Sequence, residues 1–287
     1  MTQLRVQFGV ALAVLLLTTS LSYSQTQATC TFTLFQAPGQ VSGVNDFRTT
    51  VGQNSSNIQQ GFIHYAGGGV SFFSAPNSQS TGFAARNDSG VSVGSYGPNG
   101  TTAGKGFILQ GSTFTSFSHP KAVWGTALTG INKYNSTVGW YLDSAELAHG
   151  FKRYSNGGLA SLDFPGASLG TNPAGINDHG TVAGSFGDTI GEHGFIYHGG
   201  TWAKIDFPSS GAGTTQVVGI SNNNVVVGFN TSNEPYTSFL YANGAFKVIS
   251  VPNSLSTNVS GISANGVITG NVVYNSGSAG AFTATCK

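Results

Sequence analysis

The side chains best suited to chemistry fall in three short segments. "YLDSAELAHG" carries Asp143, Glu146 and His149, "FGDTIGEHG" carries Asp188, Glu192 and His193, and "NTSNEPYTS" carries Glu234. Carboxylates beside imidazoles can bind a divalent cation, hold the hydroxyls of a sugar, or exchange protons as a general acid–base pair. Five of the ten acidic residues lie in these segments. Asp143 and Asp188 stand at equivalent positions, each four residues after a glycine. The plainer reading, which we prefer from sequence, is a solvated loop surface that keeps a nearly uncharged protein dispersed. No catalytic residue, metal ligand or cofactor is assigned, and the seven residues stand as candidate ligand contacts.

Other candidates are weaker. Asp163 and Asp206 sit beside proline in "SLDFP" and "KIDFP" and read as turn residues. Trp124 and Tyr141 could stack on a sugar or simply pack. "NDSG" at Asn87–Gly90 has too few carboxylates for calcium. We find no HExxH, P-loop or paired CxxC, and expect no nucleophile elbow. The glycines do not make a dinucleotide fingerprint, because no helix follows them to cap a phosphate.

Those loops must be carried by strands. Only 7% of the 287 residues are charged, and 42 are glycine. Val, Thr, Phe and Tyr punctuated by Gly and Asn read as strands and turns. "GINDHGTVAG" at Gly175 recurs as "GVNDFRTTVG", "ARNDSGVSVG", "GINKYNSTVG", "GISNNNVVVG" and "GISANGVITG". Each copy is followed by a phenylalanine: Phe62, Phe107, Phe151, Phe195, Phe239 and Phe282. A proline then ends an alternating segment at Pro76, Pro120, Pro165, Pro208 and Pro252, with one more, Pro38, ahead of the first copy. Four short strands every 42–45 residues are the cadence of a β-propeller blade.

The count calls for a closed ring: an all-β, six-bladed propeller of four-stranded blades. The sixth outer strand, "TFTLFQAP", comes first in the chain, and the last copy stops after "GAFTATCK". The N-terminal strand therefore completes the last blade. Aligned on the repeat marks, Cys30 and Cys286 fall opposite Gly200 and Gly199, neighbours in a hairpin turn. They are expected to form a disulfide that stabilises by roughly 4–5 kcal/mol in the chain-entropy model. The recurrent glycine of the Gly184 series (Gly52, Gly94, Gly139, Gly228, Gly270) is expected where sheets crowd at the centre, and the six phenylalanines between blades.

The N-terminus reads differently. Arg5, the apolar run Val10–Leu17 and the small residues Ser22 and Ser24 have the layout of a secretory signal peptide spanning residues 1–24, with residues 25–287 as one propeller domain. The run is too short to span a membrane. Without Arg5 the chain carries ten basic and ten acidic residues. That balance disfavours nucleic acid or an anionic membrane as partner. We expect a secreted or periplasmic monomer without membrane insertion after cleavage, since a closed ring leaves few free strand edges.

Residues 30 to 287 resemble the HAF-type extracellular repeats of bacteria, named for a His-Ala-Phe-like triplet. The triplet here is "HGF" at His149–Phe151 and His193–Phe195, drifting to "QGF", "KGF", "TSF" and "GAF". The resemblance implies export and repetition but no particular activity. The expected function is therefore a non-catalytic binding or scaffolding propeller for a glycan or protein ligand. The alternative is a carbohydrate-active hydrolase or lyase that uses the acidic loops.

Overall fold

The computed structural model describes residues 26–55, 59–100, 103–208 and 213–287. The proposed cleavage point after Ser24 lies outside them. Every regular element among the described residues is a strand. The described residues begin with β1 (Thr26–Gln27) and β2 (Cys30–Phe35) and then build blades in sequence. Blade 1 is β3 (Gly39–Val44), β4 (Thr50–Asn54), β5 (Gly61–His64) and β6 (Val70–Phe73). Blade 2 is β7 (Ser78–Arg86), β8 (Val91–Pro98), β9 (Lys105–Gln110) and β10 (Thr113–Phe117). Blade 3 is β11 (Gly125–Ile131), β12 (Thr137–Leu142), β13 (Ala148–Arg153) and β14 (Leu159–Ser161). Blade 4 is β15 (Thr171–Ile176), β16 (Val182–Gly187), β17 (Glu192–His198) and β18 (Thr201–Ile205). Blade 5 is β19 (Thr215–Ile220), β20 (Val226–Asn230), β21 (Thr237–Ala242) and β22 (Ala245–Val248). Blade 6 is β23 (Ser254–Ile262), β24 (Ile268–Tyr274), β25 (Ala279–Cys286) and, from the other end of the chain, β2.

The closure matches the expectation residue by residue. Thr31 pairs with Thr285 and Phe35 with Ala281, and Cys30 faces Cys286 across a disulfide. One element is additional. β1 adds a parallel fifth strand outside β22, with Thr26 opposite Lys247. The chain's leading segment is thus fastened to blade 5 before it enters blade 6.

The six repeat phenylalanines are all fully buried, as expected of core between blades. The Gly184 series has a different role from the one expected. All six inner strands carry a β-bulge, as at Val41/Gly43 and Pro173/Gly175. The bulge presses a carbonyl onto the glycine of the second strand in the same blade. A Cβ on Gly184 would meet Asn172 O at 2.3 Å and Phe195 Cζ at 2.9 Å. The close approach between blades belongs to the other recurrent glycine, the first of "GIN". A Cβ on Gly130 would meet the Gly175 Cα at 2.9 Å, and one on Gly175 would meet the Gly219 Cα at 3.1 Å.

Asparagine in the "GIN" turn fastens neighbouring blades. Asn177 Oδ1 accepts from the amides of His179 and Thr181, capping its own turn, while its Nδ2 donates to Ser221 O and Asn224 Oδ1 of blade 5. Asn87 and Asn132 donate to the next blade in the same way. The residue that follows the asparagine extends the chain of contacts. Asp178 Oδ1 accepts from Lys133 N, Asp88 Oδ1 from Asp46 N, and Asp46 Oδ1 from Asn265 N. "GINDHG" is scaffold.

Candidate functional site

In an antiparallel blade, the loops between second and third strands open on the same end as the segments that lead to the next blade. The three acidic segments lie on that end. Their residues separate into three arrangements.

Asp143 and His149 form the first, together with Asp163. His149 Nε2 lies 3.3 Å from Asp143 Oδ2 and Nδ1 lies 3.2 Å from Asp163 Oδ2. Blade 4 repeats the unit. His193 Nε2 lies 3.2 Å from Asp188 Oδ1 and Nδ1 lies 2.7 Å from Asp206 Oδ1. Asp163 and Asp206, expected to serve turns, therefore complete two Asp–His–Asp clusters. Both ring nitrogens of each histidine face a carboxylate, so neither offers a free lone pair to a metal. Asp143 also accepts from the amides of Ala145 and Leu147, and Asp188 from those of Ile190 and Gly191. Backbone donation, led by Leu147 for Asp143 and by Ile190 for Asp188, holds both carboxyls below their usual range. These groups shape their own loops.

Glu146 and Glu234 stay exposed on separate loops, in blades 3 and 5. Glu192 is the exception among the seven. Alternation along β17 turns His193 toward the blade 3 side and Glu192 toward blade 5. Its carboxylate accepts from Gln216 Nε2 of blade 5. Burial pushes its pKa up, against the Gln216 hydrogen bond and the attraction of His193.

Glu192 lines a depression of about 390 Å³ at the mouth of the central channel. Gln53, Trp140, Asn172, Ser185 and Gln216 share the wall, and they come from five strands in four blades. Glu192 is the one carboxylate among the described residues that line it. Trp140 is paired with a gap in the backbone ladder. Ser185 Oγ accepts from Val217 N across the blade 4–5 seam, whereas the equivalent of Val217 in blade 4 is Pro173, which has no amide hydrogen. No donor there needs an acceptor, so a flat apolar ring can occupy the position. Sequence reading missed this site because Trp140 looks like an ordinary strand aromatic.

Of the two aromatics singled out from sequence, Tyr141 is packing: it is 7% exposed and stacked between His119 and His149. Trp124 is 43% exposed on the same end. The Gly-x-Ser-x-Gly pattern does occur twice, at Gly90–Gly94 and Gly166–Gly170, contrary to the expectation of no elbow motif. Neither forms an elbow: Ser92 lies inside β8, buried and bonded to Arg86, and no helix follows either copy.

The architecture makes the chain a six-bladed β-propeller, and solved structures agree. It is similar to virginiamycin B lyase from Staphylococcus aureus (TM-score 0.50, 9% identity, 88% of each chain covered). It is similar to TolB from Acinetobacter baumannii (TM-score 0.53, 10% identity, 85% of this chain and 65% of that one). It also resembles the Hadza microbial sialidase Hz136 (TM-score 0.52, 9% identity, 86% of this chain and 65% of that one). At these identities the likeness is one of fold. No family model matches the chain, and no curated protein matches it. Among the described residues no helix is long and apolar enough to cross a membrane.

Proposed function

We propose that the protein is an exported, non-catalytic binding propeller that holds a glycan in the depression around Trp140 and Glu192. The observation that carries this reading is the composition of the wall: one indole, three neutral amides, five hydroxyl residues and one carboxylate around a space of about 390 Å³. Sugars present an apolar ring face and many hydroxyls, which suit an aromatic platform with neutral hydrogen-bonding groups. Hydrolysis by the two-carboxylate route needs a second acid about 5–9.5 Å away. The aspartates of the acidic loops are instead engaged by their own histidines and backbone amides. Export is supported by the leader-like N-terminus and the disulfide. Assignment to the HAF-type repeats belongs to the same reading.

A glycan array followed by calorimetry on the chain lacking residues 1–24 tests it. Trp140→Ala is expected to remove binding, and Glu192→Gln to weaken it about tenfold, the usual cost of one charge-assisted hydrogen bond. Asp143→Asn is expected to leave it unchanged. An array without hits, or binding indifferent to Trp140→Ala, would overturn the site. Glycan cleavage lost in Glu192→Gln would overturn the non-catalytic half.

A further inference from the structure

A second cavity, of about 470 Å³, lies in the seam between blades 5 and 6, on the end of the ring opposite the Trp140 depression. The repeat has its smallest side chain beside this seam. Two residues beyond each repeat phenylalanine stand His64, Leu109, Arg153, Tyr197, Tyr241 and Ala284. Five of these fill space. His64 stacks on Phe35 of blade 6 at 4.6 Å, and the Arg153 guanidinium lies 5.6 Å from the Phe117 ring of blade 2. Tyr197 and Tyr241 pack on Trp202 and Phe246 in the clusters that join blades 3–4 and 4–5, and Leu109 is buried in the cluster around Phe107. Ala284 offers a single methyl. Ala284 itself is fully buried in the blade 5–6 cluster, and the cavity lies beside it, walled by Leu240 of blade 5 and Ile268 of blade 6.

The lining fixes the chemistry of an occupant. Val225, Leu240, Ile262 and Ile268 give an apolar floor. Asn223, Asn243 and Asn265 place amides at the rim, with Lys247 and Lys287 beside them, and among the described residues no Asp or Glu side chain lines the cavity. Lys247 Nζ donates to a terminal carboxylate oxygen of Lys287 at 3.3 Å, which keeps the ammonium at the cavity edge. The volume is that of a small-molecule pocket. An apolar floor does not suit a sugar, and the two lysine ammoniums outnumber the terminal carboxylate of Lys287 beside them, which disfavours a cation.

We propose that this cavity binds one amphiphilic carboxylate, its apolar chain against Leu240 and Ile268 and its head group at Lys247. The site is independent of the glycan depression. The first and the last described strands are fastened beside it, since Lys247 pairs with Thr26 of β1 and Cys286 of β25 is one of the lining residues. Occupancy therefore bridges the blade 5–6 seam.

The test is calorimetric titration of the disulfide-bonded chain with decanoate, decanol and decylammonium below their micelle concentrations. Decanoate is expected to saturate a single site, and Lys247→Gln to weaken it about tenfold, to the level of decanol. Ala245→Trp, at an exposed rim position, is expected to block it, and Trp140→Ala to leave it intact. Methyl NMR of the unsubstituted protein gives a readout that needs no variant: decanoate should shift Leu240 and Ile268. Absence of saturable binding, unshifted methyls at these two residues, equal affinity for decylammonium, or full affinity in a folded Ala245→Trp each overturns the proposal.

Discussion

At the scale of the residue, the histidine of the repeat triplet is explained by what surrounds it. His149 and His193 occur only in blades whose second–third loop and outer strand both supply aspartate. Blade 5, which carries Thr237 in that place, has Ser232 and Ser250 instead. The three positions change together because each ring nitrogen of the histidine faces one of the two carboxylates. For His149, burial opposes the charge and is the largest single effect, but hydrogen bonds and attraction from Asp163 and Asp143 together outweigh it and raise the pKa. The stacked Tyr141 is held neutral by burial and by the same two acids, and His119 beyond it is held neutral mainly by burial. A raised histidine stabilises fully below its unfolded value, and that contribution disappears as pH rises through the folded value. The lowered Asp143 acts the other way and is lost on acidification. The contact is therefore strongest between about pH 4 and about pH 6.5, between the ordinary carboxylate and histidine values. Urea unfolding of the protein and of His149→Gln at pH 6 and pH 8.5 should show a stability gap that narrows at the higher pH. Because His149 is partly solvated, the change should stay under about 1 kcal/mol. A gap that widens with pH would refute the charged-histidine account.

At the scale of the element, two glycines in five of the six blades do unlike work; blade 2 has Ala85 in place of the first. Gly184 exists because the bulge in β15 leaves no room for a Cβ beside Asn172 O and Phe195. Gly184→Ala forces backbone to move, so we expect a loss of about 1–3 kcal/mol, the usual range for overpacking, read from the chemical-denaturation midpoint. Gly199→Ala is the contrasting control. Its Cβ would enter open space, and the cost there is only that of a positive φ of 57°. Equal losses for both variants would mean that the bulge contact is not what requires glycine. Recurrence in the sequence made both glycine series, all four strands and the buried phenylalanines legible. It did not separate the two glycine roles, because a bulge is a register shift in the partner strand and leaves no residue mark of its own. β1 was invisible for a related reason: its two residues are exposed, and it pairs through backbone alone.

At the scale of the whole molecule, the ring was readable because a permuted strand and two cysteines make sense only if the ends meet. The depression was not readable, because Trp140, Asn172, Glu192 and Gln216 converge from three blades and none is a repeat mark. A repeated motif reports what every blade needs, whereas a ligand site uses what one side of the channel has and the others lack. The same logic locates the ring's weakest point. Blade 6 is the one blade whose outer strand comes from the far end of the chain, and its junction with blade 5 holds the cavity beside Lys247. The disulfide spans a separation of 256 residues. In the chain-entropy model, cross-linking a loop of this size contributes about 5 kcal/mol, an upper figure since measured values fall at or below it. Cys30→Ser/Cys286→Ser should therefore lower the unfolding midpoint, and reduction of the native protein should do the same. Hydrogen exchange should show where: β2, β25 and β1 lose protection first, while blade 3, remote from both ends, keeps it. Uniform loss across all blades would mean that the propeller opens as one cooperative unit. An unchanged midpoint would mean that strand pairing alone, from Thr31 opposite Thr285 to Phe35 opposite Ala281, holds the ring shut.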